Sequence, residues 1–274
     1  MEAMTEYVCN LAQFMAAIKK VVNGHKRAVY RGQANVDWDL KSSLARAPDF
    51  EDNSRISRAK TAFDIFNAER HGYHNLSSQN KWDVLALAQH YGMPTRLLDW
   101  SLSPLAALFF AIDGVKYEFK NMFDCSDLVR SGAECIPALG NEFGSAVADA
   151  VVFVVTGDDP AIWVDSESLP EDVFDVVDKA QQSGYCFYTP NYLNSRLRTQ
   201  SGVFSVGCTV QHLFPKEVAH KIVIKREFIA TVVTDLIQAG VGAKTMFGDL
   251  EGLCRDLHFT YFGGFQTRIL PKRQ

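Results

Sequence analysis

A chain of 274 residues that is 47% hydrophobic and carries a formal net charge of −4 is long enough for one globular domain with its own core. The acidic balance excludes wholesale electrostatic binding to nucleic acid or to an anionic lipid surface, but it leaves room for a local basic patch. No apolar stretch reaches the roughly 18 residues of a membrane helix, and the N-terminus does not resemble a signal peptide. We therefore expect a cytoplasmic protein without a membrane partner, whose six cysteines are free thiols.

The N-terminal half predicts helices joined by short extended segments. An apolar stripe over Glu6–Val22 predicts an amphipathic helix, with Thr5 or Asn10 as its N-cap. The segment RAVYRGQ predicts a strand that reaches Tyr30-Arg31-Gly32. Further helices are expected over Ser54–His71, Trp82–Tyr91 and Ser103–Ile112, with an extended segment at Thr95–Trp100.

The C-terminal half mixes strands and helices without the regular βαβ alternation or the G-x-G-x-x-G motif of a dinucleotide-binding fold. Weak patterning at about 114–149 indicates a surface insertion in an otherwise single domain that spans residues 1–274. Strands are predicted at Ala150–Thr156, Gly202–Val206 and Ala219–Ile224, and helices at Lys225–Ala239 and in a final segment capped by Asp249. The order of elements predicts an α+β fold.

The first stretch with candidate chemistry is Tyr30-Arg31-Gly32-Gln33. An arginine at the end of a strand can enter a cleft, and a following glycine admits a ligand close to the backbone. The alternative is an exposed arginine beside a turn.

The second stretch, QHYGMPTRLLDWSLSP, places His90, Arg96 and Asp99 beside a Gly-Met-Pro turn. In an extended strand Arg96 and Trp100 share one face while Asp99 lies on the other, so Arg96 and Asp99 need not pair. His90 is equally compatible with a place in the core.

The third stretch, NSRLRTQSGVFSV, places Arg196, Arg198 and Gln200 at alternate positions, and these residues share a face if the chain is extended. Such a row suits an anionic ligand. A solvated edge strand is the alternative. No metal-ligand spacing, Ser-His-Asp motif or phosphate-binding loop competes with these stretches, and Asp158-Asp159-Pro160 is typical of a turn.

Taken together, VYRGQ, HYGMPTRLLDWSLSPLAALFFA, SRLRTQSGVFSV and FGDLEGLCRDL resemble the FRG domain family, over about Val22 to Leu257. The order of motifs is also similar to that of ADP-ribosyltransferases, which use NAD. In that fold a first strand carries His or Arg. A second strand carries Ser or Thr and runs into a helix of small and aromatic residues, and a third strand carries Glu. The resemblance implies an ADP-ribosyltransferase-like split, mostly antiparallel β core flanked by helices.

By this resemblance Arg31 matches the first position, Ser101 the second and Gln200 the third. The chain departs from the pattern at Gln200, because glutamine can bind a ribose hydroxyl but supplies no negative charge. Asp99 is the residue expected to supply that charge. Further contacts to NAD are expected from Tyr30, Gly32, His90, Thr95 and Arg96, and contacts to pyrophosphate or the acceptor from Arg196 and Arg198.

The implied function is an NAD-dependent ADP-ribosyltransferase that acts as an intracellular toxin or anti-phage effector. NAD is its substrate, RNA or a protein its acceptor, and an antitoxin protein an expected partner; no metal is expected. One alternative is a non-catalytic nucleic-acid-binding or interaction module, whose phosphate-binding surface would be formed by Arg31, Arg96, Arg196 and Arg198. The other alternative is an NAD hydrolase, in which water replaces the acceptor.

Overall fold

The computed structural model describes residues 3–47, 52–73, 78, 80–116, 146–190, 201–211 and 213–262. The chain divides into two compact units, each assembled from separate stretches of sequence. Unit one comprises Met1–Trp38, Ser101–Thr156 and Glu217–Gln274, and unit two comprises Asp39–Trp100 and Gly157–Lys216. Most of the insertion predicted at 114–149 falls at 117–145, outside the described residues.

The described residues form both strands and helices. The strands are β1 (Thr5–Val8), β2 (Ala28–Gln33), β3 (Leu98–Ser101), β4 (Ala150–Thr156), β5 (Trp163–Val164), β6 (Tyr185–Tyr188), β7 (Gly202–Gly207) and β8 (His220–Ile224). The α-helices are α1 (Leu11–Val22), α2 (Asp52–Glu69), α3 (Lys81–His90), α4 (Pro104–Ile112), α5 (Ile229–Gln238), α6 (Ala243–Phe247) and α7 (Leu250–Tyr261). Within the described part of the chain, no helix has the length and apolarity needed to span a bilayer.

The sheet of unit one has the strand order β1-β8-β4-β2, and Ser101 at the end of β3 pairs with Tyr30 of β2. β1 runs parallel to β8, whereas the other pairs are antiparallel. Helices α1, α4 and α5 pack on one face, where their apolar side chains join Tyr30, Val152 and Ile222 in a single core. Because side chains alternate along a strand, Arg31 belongs to the opposite face.

Unit two has the strand order β3-β7-β6-β5, in which β6 pairs antiparallel with β7 and parallel with β5. Its core contains Trp82 of α3, Tyr188 of β6 and Phe204 of β7. Trp100 of β3 donates its indole N–H to Ser205 Oγ at 2.8 Å, so this buried polar group is satisfied. The combination of helices with mostly antiparallel strands confirms the mixed class expected from the sequence.

The predicted start of the first helix at Glu6 is wrong, because Thr5–Val8 forms strand β1 and pairs with Lys221–Ile224. Helix α1 begins only at Leu11, after Asn10 accepts a hydrogen bond from the backbone N–H of Gln13 at 2.9 Å. Asn10 is therefore the N-cap, and Thr5 is not. The apolar spacing across 6–11 misled the helix prediction because a distant strand decides the conformation there.

Strand β2 and helix α4 come unusually close at Gly32. A Cβ built on Gly32 would stand 2.5 Å from the backbone nitrogen of Ala111 and closer still to the carbonyl oxygen of Ala107. Ser103 starts the helix by accepting from the Ala106 N–H at 3.3 Å, and Pro104 follows at the first turn. The sequence predicted that Gly32 admits a ligand close to the backbone, but the space above its Cα is taken by the backbone of α4.

The Gly32→Ala substitution should destabilise the protein by at least about 3 kcal/mol, because the added methyl group meets backbone atoms that cannot move aside. Gly72→Ala is the matched control, since a Cβ at Gly72 meets nothing within 4 Å. Urea unfolding of both variants measures the difference. Equal stability of the two would contradict the proposed packing.

His220 should make stability depend on pH. Its side chain is 5% exposed, and Nδ1 accepts a hydrogen bond from the Met4 N–H at 3.1 Å. Burial is the main cause that lowers its pKa below the usual 6.5. The unfolded chain therefore takes up a proton first as the pH falls, so this contribution to stability is complete above about pH 6.5 and is lost below it.

We expect the free energy of unfolding to fall between about pH 6.5 and 5, and the His220→Gln variant to lose part of that slope. His258→Gln, at an exposed position, should keep the wild-type slope. Urea denaturation at a series of pH values measures how the free energy of unfolding changes with pH in each variant. A slope that is unchanged in His220→Gln would show that other groups cause it.

Candidate functional site

Arg31 lies in the interior of strand β2, where it pairs in register with Phe153 of β4. The prediction that it stands at a strand end is wrong, because the strand continues to Gln33. Its side chain is half-buried and belongs to the face of the unit-one sheet opposite α1, α4 and α5. Because Arg31 lies in the middle of a strand, the backbone position from which its side chain extends is fixed. This suits an oriented contact of the guanidinium with an anion or a ribose.

Ser101 is buried at the end of β3 and pairs in register with Tyr30. Its Oγ accepts a hydrogen bond from the Ser103 N–H at 2.9 Å, and Ser103 in turn caps helix α4. Burial raises the pKa of Tyr30, so its phenol stays neutral. The strand that carries Arg31 and the strand that ends in Ser101 are therefore neighbours, and the serine side chain holds the turn between β3 and α4.

In unit two a series of hydrogen-bonded polar side chains leads to Asp99. The Thr95 hydroxyl donates to Gln89 Oε1, and Gln89 Nε2 donates to Asp99 Oδ1 at 2.5 Å. Thr95 is 1% exposed and its backbone N–H donates to Ser43 Oγ at 2.9 Å, whereas Asp99 is exposed. Thr95 thus positions Gln89, and Gln89 orients the carboxylate of Asp99.

His90 is half-buried at the end of helix α3 and meets the ring of Tyr91 edge-on, with 4.9 Å between the ring centroids. The turn that follows depends on Gly92, whose φ of 92° is in the region that favours glycine. The sequence left open whether His90 serves the core or a ligand. Its partial exposure is compatible with either role.

Arg96 is 4% exposed, and its guanidinium donates to backbone carbonyls from two segments of unit two. Nη1 donates to Val173 O at 3.0 Å and Asp175 O at 2.7 Å, and Nη2 donates to Gly207 O at 2.9 Å and Cys208 O at 3.3 Å. The group also lies over the ring of Trp82, 5.7 Å from its centroid. This geometry joins a loop to the end of β7.

The contacts of Arg96 support a structural role in place of the NAD contact predicted from the sequence. Burial, its main perturbation, lowers the pKa of Arg96 to about 10, so the side chain is still a cation near neutral pH. A buried cation that binds carbonyls cannot also bind a phosphate at the surface. The sequence did carry a signal for this structural role. Arg96 alternates with Leu98 and Trp100 along the chain, and both of those side chains are buried.

Gln200, Arg196 and Arg198 lie outside the described residues, and their roles remain predictions. The described chain resumes at Ser201, immediately before β7 (Gly202–Gly207). The predicted strand after the third motif is therefore confirmed.

A cavity of about 490 Å³ in unit one contains none of the residues predicted to act. Helices α4, α5 and α7 line it, mainly with apolar side chains. Its edge holds an ion pair that the sequence did not reveal, in which Arg255 Nη2 lies 2.8 and 2.6 Å from the two carboxylate oxygens of Asp113. No local pattern could have found it, because the partners are 142 residues apart. Among the described residues, no group of three or more His, Cys, Asp or Glu side chains could hold a metal ion.

Comparison with known families finds one match, to the FRG domain over residues 26–119. The matched region contains the Tyr30-Arg31-Gly32 motif and the whole of the stretch from His90 to Ile112. It confirms the resemblance to the FRG family over these residues, whereas the motifs SRLRTQSGVFSV and FGDLEGLCRDL lie beyond the matched region. No curated protein and no solved structure matches the chain.

Replacing Arg96 by lysine should lower the free energy of unfolding by at least about 3 kcal/mol, because an ammonium group cannot satisfy all four carbonyls that the planar fork reaches. Arg46→Lys, at an exposed position, is the control and should stay within about 0.5 kcal/mol of wild type. Urea unfolding followed by tryptophan fluorescence measures both. Wild-type stability of Arg96→Lys would exclude the structural role.

Proposed function

Because residues 26–119 match the FRG domain, we propose that the chain is an NAD-dependent ADP-ribosyltransferase that acts as an intracellular toxin or anti-phage effector. The observation that supports this proposal is the register of Tyr30 with Ser101. It sets the strand of Arg31 beside a strand that ends in serine and leads into helix α4. The resemblance to ADP-ribosyltransferases calls for this neighbourhood of its first two positions.

The residues of unit one fit the chemistry of NAD as a substrate. Arg31 offers a planar fork of donors on a strand, which suits the nicotinamide ribose or a phosphate of NAD. The Ser101 hydroxyl is engaged by the Ser103 N–H, so in this proposal it orients the strand pair and does not react. Tyr30, the neighbour of Arg31, is in the core, so its ring supports the strand from behind.

The negative charge that the reaction needs is assigned to Asp99. A developing oxocarbenium ion is stabilised by a nearby carboxylate, and Gln200 cannot provide one. Asp99 is exposed, lies two residues before Ser101 in the same strand, and is oriented by Gln89. Gln200 would then bind the ribose hydroxyl, and Arg196 and Arg198 would hold the pyrophosphate or a polyanionic acceptor such as RNA.

A non-catalytic phosphate-binding module is less well supported, because it relied on four arginines and Arg96 is buried on backbone carbonyls. An NAD hydrolase uses the same residues and differs only in the acceptor. The two reactions are separated by the products. A hydrolase releases nicotinamide without labelling any macromolecule, and a transferase labels its acceptor.

The test is to incubate purified protein with NAD labelled in its adenylate part together with cell extract, and to follow both nicotinamide release and label in macromolecules. Arg31→Lys should lower both by at least about 100-fold, because the forked contact is lost while the fold is kept. Arg27→Lys is the control, since Arg27 is exposed and precedes the same strand. Thermal unfolding of each variant checks that it is folded.

Two further variants test the position at which this chain has Gln200 and the ADP-ribosyltransferase pattern has Glu. Gln200→Glu should raise the rate of nicotinamide release, because it adds the charge that glutamine lacks, and Asp99→Asn should lower it. Digestion of the labelled product with ribonuclease or protease identifies the acceptor. If neither release nor labelling occurs with wild-type protein, or if Arg31→Lys behaves like Arg27→Lys, the proposal fails.

A further inference from the structure

Unit two contains a small cavity of about 10 Å³ beside the buried guanidinium of Arg96. Ser42, Tyr185 and Ser205 also line it, and the remaining described lining residues are apolar side chains or glycines. No acidic side chain is found among the described residues that line it. The cavity admits a ligand about the size of one water molecule or one monatomic ion.

Arg96 lines this space and carries a buried donor that has no partner among the described residues. Its Nη1 and Nη2 atoms donate to carbonyls, but within the described part of the chain Nε is buried and has no hydrogen-bond partner. Leaving a charged donor unpaired in a protein interior is costly, so such an atom in a stable fold indicates a missing partner. Because Arg96 lines the cavity, a ligand in the cavity is the natural acceptor.

The two serine hydroxyls of the cavity are also available as donors. Ser205 Oγ accepts from the Trp100 indole N–H at 2.8 Å, and Ser42 Oγ accepts from the Ala45 N–H at 3.2 Å. Each hydroxyl therefore already uses its oxygen as an acceptor and has its own O–H left to donate. Burial, the main perturbation, raises the pKa of Tyr185, so its phenol adds no negative charge. The polar side chains that line the cavity thus each have an N–H or O–H to donate, and none of those described is a carboxylate.

Among the described residues, no carboxylate forms an ion pair with the guanidinium of Arg96, although the charges of Asp172 and Asp175 act on it. The four hydrogen bonds that its Nη atoms donate go to neutral carbonyls, and Lys60 holds the nearby carboxylate of Asp172 at 2.7 Å. A buried cation is stable when an opposite charge is close to it. A donor-lined cavity next to such a cation is complementary to an anion in both charge and hydrogen bonding.

We propose that this cavity binds a monatomic anion of the halide class, with chloride as the natural occupant, through Arg96 Nε, Ser42 Oγ and Ser205 Oγ. A water molecule is the competing occupant, but it accepts only two hydrogen bonds and brings no charge. The anion would tie the loop that carries Ser42 to β7 through Ser205, and it would neutralise Arg96. The site is independent of the proposed transferase activity, because none of the residues proposed to act on NAD contributes to it.

Bromide is the direct probe, because it replaces chloride and scatters anomalously. Crystals of the wild-type chain grown or soaked in sodium bromide should show one anomalous peak within hydrogen-bond distance of Arg96 Nε. In solution, the unfolding midpoint should rise by several degrees when sodium gluconate is replaced by sodium chloride at equal concentration, because a ligand that binds only the folded state stabilises it.

The Ser42→Ala variant should weaken the apparent affinity for chloride by about tenfold, the loss expected for one hydrogen bond to a charged ligand. It retains the pair between Trp100 and Ser205, so the strand contact is kept. Ser168→Ala, at an exposed position of the same unit, should respond to chloride like wild type.

The proposal is overturned by an ordered water without an anomalous signal in the cavity, or by an empty cavity at about 1 M bromide, well above the range of a useful affinity. It is equally overturned if chloride and gluconate give the same midpoint, or if Ser42→Ala keeps the full response to chloride. The wild-type diffraction experiment decides the matter even if the variant does not fold.

Discussion

The contact between helix α4 and strand β2 at Gly32 is the constraint on which the proposed site in unit one depends. A side chain at Gly32 would collide with the Ala107 carbonyl, so only glycine lets the helix lie this close. Because α4 lies close to β2, its N-cap Ser103 lies near Ser101. The Ser103 N–H donates a hydrogen bond to Ser101 Oγ. The pairing of Ser101 with Tyr30 follows, and it leaves the neighbouring Arg31 on the face away from the helices.

The two arginines that stood out in the sequence have opposite surroundings. Arg31 is half-buried on the face of a sheet, whereas Arg96 is almost fully buried and organises carbonyls from two segments. The position of Arg96 calls for arginine, because its fork reaches four carbonyls at fixed angles. Of the two, Arg96 keeps the surrounding loops in place, whereas Arg31 is the arginine to which the proposal assigns a ligand contact.

Elements that depend on neighbouring residues could be predicted from the sequence. Ser103 with Pro104 starts α4, Asp249 caps α7, and the apolar run of β4 occupies Ala150–Thr156 as expected. Features that depend on distant residues could not. Strand β1 exists because it pairs with β8, and the carbonyls that Arg96 holds lie 77 to 112 residues away. For the same reason the sequence identified the Arg31 and Ser101 motifs separately, but only the sheet register, through the pairing of Tyr30 with Ser101, makes their strands neighbours.

The most direct test of the account is a crystal structure of the chain with a non-hydrolysable NAD analogue. We expect the nicotinamide ribose or a phosphate of the analogue to contact the guanidinium of Arg31, on the face of β2 opposite helix α4. Density for the analogue in the apolar cavity between α4, α5 and α7, with no contact to Arg31, would contradict it.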